Sequence, residues 1–266
     1  MGSRPRKRLG QHFLIDPNIV RKIMTVAAVR QDETVLEIGP GRGILTRALC
    51  AAARSVIAIE LDAKLAADLK TRLAGVENLD LRQGDAMAFP YDTLPAGTVV
   101  VANLPYYVST PILFRLLEAW RRIDRMVLML QAEVARRLVA KVGSRDYGIL
   151  SVLAGYWTEP SLAFSVSSRC FRPIPEVDSA VVKLIVRNTR LLPEADEPSF
   201  VGTVRAAFAH RRKTLFNSLR DEGRTAERIT LALAHAGIEP SRRAETLTLG
   251  EFAALARALD EREKEG

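Results

Sequence analysis

The chain has 266 residues, 48% of them hydrophobic, enough for one large domain or for one large and one small. No apolar run reaches transmembrane length, and the basic N-terminus has no apolar signal core behind it, because Asp16, Asn18, Arg21 and Lys22 interrupt it. A soluble, cytoplasmic protein without membrane contact is expected. Lys and Arg total 39 against 31 acidic residues, a formal net charge of +8 and a pI of about 9.8, which points to a polyanionic partner.

Two cysteines, Cys50 and Cys170, make no disulfide framework and are expected to be free thiols. His12, His210 and His235 lie far apart without metal-ligand spacing, so no metal site is expected.

In chain order, residues 1–10 are basic and are expected to stay flexible until a partner binds. Asp16 reads as an N-cap with Pro17 at the first helical position, followed by a stripe of Ile19, Ile23 and Met24. Thr34–Ile38 is a buried-strand pattern that runs into Gly39-Pro40-Gly41-Arg42-Gly43 and then a helical stretch at 44–53. A strand, a Gly-rich turn and a helix can wrap a nucleotide-like ligand, because glycine lets the backbone take unusual angles and approach closely. The spacing is Gly-x-Gly-x-Gly, not that of dinucleotide folds.

The second strand ends at Glu60, and Asp62 caps a helix at 63–73. An acid about twenty residues beyond the Gly-rich turn is placed to accept ribose hydroxyls. The plain alternative is that Glu60 helps Asp62 cap the helix. Strand three, Leu79–Gln83, ends at Gly84-Asp85-Ala86. Asp85 can accept an adenine amine or serve as a turn aspartate. The apolar run 98–102 delivers Asn103-Leu104-Pro105-Tyr106 at a strand end. An amide, a rigid proline and an aromatic ring there can hold a planar group carrying an exocyclic amine, or can simply make a turn.

Ser109 or Thr110 is expected to cap the next helix, with Pro111 at its start. Residues 125–130 begin strand five, 134–142 form a basic helical segment, and 146–157 look helical. Two more strands are read at 160–166 and 179–187. Between them Phe171-Arg172-Pro173-Ile174-Pro175 is stiffened by two prolines, and Phe171 is either one wall of a base pocket or a hydrophobic plug. Residues 189–198 have linker composition. Helices follow at 200–209, 211–219, 226–236 and 249–259. The alternation implies an α/β fold with a doubly wound, mostly parallel sheet over residues 1–188 and a small all-helical domain over 189–266.

Five basic clusters are spread along the chain: Arg4, Arg6, Lys7 and Arg8; Arg121, Arg122 and Arg125; Arg136, Arg137, Lys141 and Arg145; Arg211, Arg212 and Lys213; Arg242 and Arg243. Each alone is an ordinary solvated face. Together they favour nucleic acid, without separating RNA from DNA.

The ordered set KRLGQHFL (7–14), EIGPGRG (37–43), Glu60, Gly84-Asp85-Ala86, NLPY (103–106), FRPIPEVDSA (171–180) and FAHRRKTLFNSL (208–219) closely resembles the ribosomal RNA adenine dimethyltransferase family. The match is to its bacterial small-subunit rRNA dimethyladenosine transferases in particular. Each motif is weak alone, but seven in order over nearly the whole chain are very specific. Macrolide-resistance rRNA methyltransferases share the catalytic half. They usually lack the Val177-Asp178-Ser179 continuation and the Arg211-Arg212-Lys213-Thr214 helix start.

The resemblance implies a class I, Rossmann-like methyltransferase fold with seven strands, the last antiparallel. It implies S-adenosylmethionine as cofactor, S-adenosylhomocysteine as product, and no metal. Gln11, His12 and Leu14 would line the methionine end, and Gly39 and Gly41 would shape the turn. Glu60 would hold the ribose and Asp85 the adenine amine, with Leu61 and Ala86 beside the ring. Many members carry Asn where this chain has His12.

The implied reaction is N6,N6-dimethylation of two adjacent adenosines in the 3′-terminal hairpin loop of small-subunit (16S) rRNA, within the immature small subunit, by a monomer. Asn103, which also faces the cofactor, and the Leu104 carbonyl would orient the amine. Pro105 would fix the backbone, Tyr106 would stack on the base, and Phe171 would be its second face. Arg6, Lys7, Arg8, Arg136, Arg137, Arg211, Arg212 and Lys213 would grip RNA. Three rival functions stand beside this one. A ribosome-assembly factor acting by binding alone is compatible with the motifs. A DNA adenine methyltransferase lacks support because no target-recognition domain is present, and a nicotinamide dehydrogenase is disfavoured by the glycine spacing.

Overall fold

The computed structural model describes residues 11–210 and 212–260. Arg6, Lys7, Arg8 and Arg211, assigned to RNA from sequence, lie outside them, as does the expected flexible segment 1–10.

The described chain divides into two compact units. The first takes residues up to Ala135 together with Glu159–Val186, and the second takes Arg136–Thr158 together with the chain from Arg187 onward. The first unit is built on β2 (Thr34–Ile38), β3 (Ser55–Glu60), β4 (Leu79–Gln83), β5 (Thr98–Asn103) and β6 (Ile123–Gln131). β2 and β5 are near-continuous apolar runs because both of their faces are covered. The return helices are α1 (Pro17–Ala27), α2 (Ile44–Ala52), α3 (Ala63–Arg72) and α4 (Ser109–Glu118). With β7 (Thr158–Val166) and β9 (Ser179–Val186) the sheet has seven strands in the order β4-β3-β2-β5-β6-β9-β7. β4, β3, β2, β5 and β6 run parallel. The last strand of the chain, β9, pairs antiparallel with β6.

The strand order reverses between β2 and β5. One half of the sheet grows outward through β3 and β4, the other through β6. The two loops leaving β2 and β5 therefore diverge, and a crevice opens beyond their carboxyl ends. Gly39 follows β2 and Asn103 closes β5, so the two motifs face the same gap.

A second, two-stranded ladder stands beside the sheet. β1 (Phe13–Leu14) pairs antiparallel with β8 (Phe171–Arg172), with Leu14 opposite Phe171. Ile15 N–H donates to the Cys170 carbonyl at 2.9 Å, and the Arg172–Pro173 bond is cis. Phe171 is 0% exposed and packs in the core cluster with Leu14, Ile23, Val101, Met129 and Val181. In this structure the ring has no exposed face and packs as in the plug alternative. Sidedness in so short a strand is set by its partner, here Leu14, which lies 157 residues earlier in the chain and is invisible to local pattern.

Two further expectations change. Arg125 does not share the exposed basic face of Arg121 and Arg122. Arg125 is 7% exposed, and its guanidinium forks onto both Glu33 oxygens at 2.8 Å. It also donates to the Ala27 and Ala28 carbonyls at 2.9 Å, pinning the end of α1. The cap of α4 is Val108 without a side-chain bond. Ser109 is instead the first helical residue, and its hydroxyl donates back to the Tyr106 carbonyl.

The second unit is helical: α6 (Ile149–Trp157), α7 (Glu197–Phe208), α8 (Leu215–Asp221), α9 (Ala226–His235) and α10 (Leu249–Asp260). α5 (Ala132–Leu138) straddles the boundary of the units. Tyr156 stacks on Phe200 with ring centroids 4.2 Å apart. Leu215, Leu219, Ile229, Leu233 and Phe252 of the same unit are fully buried. α8 starts at Leu215, not at 211, because the Thr214 hydroxyl accepts the Asn217 N–H and ends the loop there.

Candidate active site

The crevice is lined by the first unit's loops, and it brings together all but one of the residues assigned from sequence to cofactor and chemistry. Gln11, His12 and Leu14 form one wall, Gly39 and Gly41 the floor, Glu60 and Leu61 a second wall, Asp85 and Ala86 a third, and Asn103 through Tyr106 the last. Phe171 is the exception.

The floor takes its shape from backbone angles. Gly39 has φ +68° and Gly41 has φ +55°, the left-handed region where a side chain costs about 1–2 kcal/mol. A Cβ on Gly41 would also lie 3.0 Å from the Phe13 ring. The turn is held from the neighbouring strand. Glu60 Oε2 accepts the Gly41 N–H at 3.0 Å, and Oε1 accepts the Asp62 N–H at 2.9 Å. Glu60 is 5% exposed. Burial pushes its carboxyl up, and the Asp62 and Gly41 N–H groups oppose that rise. Glu60 thus does the helix-end work of the plain alternative while also lining the crevice, and each oxygen retains acceptor capacity.

The third wall is similarly tied. Gly84 N–H donates to the Glu60 carbonyl at 2.9 Å. The Tyr91 hydroxyl donates to the Ala86 carbonyl at 2.9 Å. Asp85 Oδ1 accepts the Met87 N–H at 2.8 Å, so one of its oxygens is a turn acceptor.

At the end of β5, Leu104 N–H donates to the Met129 carbonyl at 3.1 Å, and Val108 N–H to the Pro105 carbonyl at 3.1 Å. These bonds fix Asn103-Leu104-Pro105-Tyr106 as a rigid turn. Asn103 Nδ2 donates to the His12 carbonyl at 3.5 Å, a long hydrogen bond that leaves Oδ1 as the acceptor of the side chain. The Tyr106 hydroxyl and Ser179 Oγ are 2.5 Å apart. Burial raises the Tyr106 phenol, which keeps it neutral. Its ring meets that of His12, with centroids 5.5 Å apart, and His12 Nδ1 lies 2.9 Å from the Pro173 carbonyl.

The crevice lining also includes Phe13, Glu37, Arg42 and Tyr107, to which the sequence assigned no role. Glu37 had a signal, an acid inside the buried run TVLEI. It is 2% exposed, and its Oε2 has no partner. Tyr107, 54% exposed, repeats the aromatic of Tyr106. Arg42 stands between two required glycines, where a charged side chain is not needed for the turn.

The residues expected to grip RNA are found in the second unit where they are described. Arg136 and Arg212 are exposed, Arg136 with a distant ion pair to Asp146 at 3.9 Å. Arg137 is also exposed, and its carbonyl accepts the Ser151 hydroxyl. Lys213 is paired with Asp221. Arg242 forks onto Glu251, which pushes that carboxyl down to about 2, so it is a structural cation and not a spare one. Among the described residues no group of three or more His, Cys, Asp or Glu could hold a metal. Nor is any of their helices long and apolar enough to cross a membrane.

The family model for ribosomal RNA adenine dimethylase matches residues 2–261. The Ribosomal RNA small subunit methyltransferase A of Moorella thermoacetica is 49% identical, covering 97% of this chain and 93% of its own length. Its counterpart from Geobacillus kaustophilus is 44% identical, covering 96% and 90%. Among solved structures, a dimethyladenosine transferase from Plasmodium falciparum matches with a TM-score of 0.82 at 28% identity, over 95% of this chain and 98% of that one. The 23S rRNA methyltransferase ErmE matches with a TM-score of 0.71 at 30% identity, over 93% and 99%.

Proposed function

The chain belongs to the ribosomal RNA adenine dimethylase family, and from that premise we propose its reaction: N6,N6-dimethylation of two adjacent adenosines in the 3′-terminal hairpin loop of small-subunit rRNA, presented by the immature subunit in the cytoplasm. The observation that carries this reading is the meeting of Asn103 and Tyr106 with Glu60 and Asp85 in one crevice. An amine-orienting amide and a base-stacking ring stand beside acceptors suited to a nucleoside.

The crevice fits S-adenosylmethionine by its donor set. Glu60 accepts ribose hydroxyls with the lone pairs its two backbone donors leave, and Asp85 accepts the adenine amine, with Leu61 and Ala86 against the ring. Gln11, His12 and Leu14 take the methionine end. The unpartnered Glu37 Oε2 supports a polar ligand on the same wall. When bound, the cofactor supplies an electrophilic methyl group and leaves as S-adenosylhomocysteine.

The target amine is a weak nucleophile because its lone pair is delocalised into the ring. Asn103 Oδ1 and the Leu104 carbonyl accept its two N–H bonds and turn the lone pair out of the ring plane. Tyr106 stacks on the base once it has left its own stack, and a hairpin loop makes that departure cheap. The proton on the methylated nitrogen leaves to water. No general base is needed, and orientation and electrostatics supply the rate. The second methyl requires the same pocket to admit monomethyladenine. The exposed arginines of the second unit, Arg136, Arg137 and Arg212, with Lys213, hold the RNA backbone.

Asn103→Ala, incubated with labelled cofactor and unmethylated small subunits, loses transfer while S-adenosylhomocysteine affinity by calorimetry stays within about threefold. Unchanged labelling sinks the assignment. Normal subunit maturation by the inactive variant would favour the assembly-factor reading of the protein's main work.

A further inference from the structure

Arg42 is a cation that neither the turn nor the ion-pair pattern explains. It sits between Gly41 and Gly43, and it is the only Arg or Lys among the described residues lining the crevice. The carboxyl-bearing side chains of the crevice are Glu37, Glu60 and Asp85. The Arg42 guanidinium is exposed and engages none of the carboxylates among the described residues. Its placement is nevertheless defined. It lies over the Phe13 ring at 4.7 Å from the centroid. That ring is wedged against the floor, since a Cβ on Gly41 would come within 3.0 Å of it. The backbone of Arg42 is held as well, by the Arg72 guanidinium donating to its carbonyl at 2.9 Å.

A cation stacked on a ring stays partly desolvated and oriented, at a modest gain of about 0.5–1 kcal/mol at exposed sites. Phe13 belongs to the same segment as His12, whose carbonyl receives the Asn103 amide. The charge is therefore carried on the wall already assigned to the amino-acid end of the ligand. A free amino acid moiety is zwitterionic, and an acidic crevice repels its carboxylate. We propose that Arg42, poised on Phe13, binds the carboxylate of the cofactor's methionine moiety. The inference rests on the cofactor reading above.

The test separates the two. S-adenosylhomocysteine carries the carboxylate, and 5′-methylthioadenosine lacks both it and the amine. Each is titrated into wild-type protein, Arg42→Met and Arg42→Lys by calorimetry, with circular dichroism confirming the fold. In Arg42→Met the affinity for S-adenosylhomocysteine falls about tenfold, the scale of a lost hydrogen bond to a charged group. Arg42→Lys recovers part of it, and 5′-methylthioadenosine binds all three proteins equally. Equal affinity of wild type and Arg42→Met for S-adenosylhomocysteine overturns the inference alone, as does parallel weakening of both ligands, which would make Arg42 a support for Phe13. A loss confined to binding of the rRNA hairpin, with a shallower salt dependence, also overturns it and gives Arg42 to an RNA phosphate. Wild-type protein that binds neither small ligand overturns the cofactor reading, and the inference with it.

Discussion

Glu37 offers the sharpest test of the physical picture of the crevice. Its carboxyl is buried on the wall. Burial pushes it up to about 8, a rise the Thr46 hydroxyl opposes and the Glu60 charge assists. In the unfolded chain the same group loses its proton near 4.5. Between those values the folded protein holds a proton that the unfolded chain has released. Stability is therefore fully present below pH 4.5 and declines as pH rises toward 8. At about 1.4 kcal/mol per pH unit, the loss reaches about 3 kcal/mol at pH 7 and about 5 kcal/mol above pH 8.

Glu37→Gln keeps the shape and cannot ionise, although its new amino group needs an acceptor and costs about 1 kcal/mol without one. That cost is independent of pH and cancels in a comparison across pH. Urea unfolding of both ligand-free proteins at pH 5, 6, 7 and 8 is the assay. The stability of the variant relative to wild type should grow by about 2–3 kcal/mol from pH 5 to pH 7. A difference that stays flat within about 0.5 kcal/mol, or one that shrinks as pH rises, refutes the reasoning. The second outcome would mean that Glu37 is ionised and well paired.

Three further outcomes follow from particular contacts. Glu60→Gln leaves one acceptor where two backbone N–H groups need one each, so it should lower S-adenosylhomocysteine affinity at least about tenfold; unaltered affinity by calorimetry removes the ribose role. Arg125→Met takes from Glu33 its buried partner and leaves it only the exposed Arg30, so it should cost about 3 kcal/mol in urea unfolding at pH 7, partly restored by adding Glu33→Gln; a loss under about 1 kcal/mol would make the pair a surface ornament. Arg136→Ala with Arg212→Ala should weaken binding of an rRNA hairpin and reduce its log–log salt slope by about 1.4, whereas an unchanged slope leaves both side chains as solvated charges.

Most of the first unit was legible in the sequence because its signals are local. TVLEI, SVIAI and TVVVA read as strands from their apolar, β-branched character, and the Gly-x-Gly-x-Gly turn reads from its positive-φ demand. Asp16 and Asp62 cap helices by contacts two or three residues away. The errors share the opposite property. Whether Phe171 faces a pocket or the core is decided by Leu14 across the β1–β8 ladder. Whether Arg125 is a surface charge is decided by Glu33, ninety-two residues earlier. The fork on Glu33 has no sequence periodicity to betray it. In α8, Arg-Arg-Lys continues a helical composition, and only the Thr214 hydroxyl bond reveals the later start. For the site, the motif positions were readable, while Arg42 and Tyr107 were not, since nothing in the turn chemistry requires either side chain.

The β1–β8 ladder also fixes when the crevice can exist. His12 meets the Pro173 carbonyl across a sequence separation of 161 residues. At a synthesis rate of 5–20 residues per second, the N-terminal wall waits roughly 8–30 s for its partner to be made. Closing so long a loop is an entropic cost met only after the parallel strands have formed. The ligand site is thus among the later parts of the first unit to mature, and a nascent chain cannot methylate before its own fold is nearly finished.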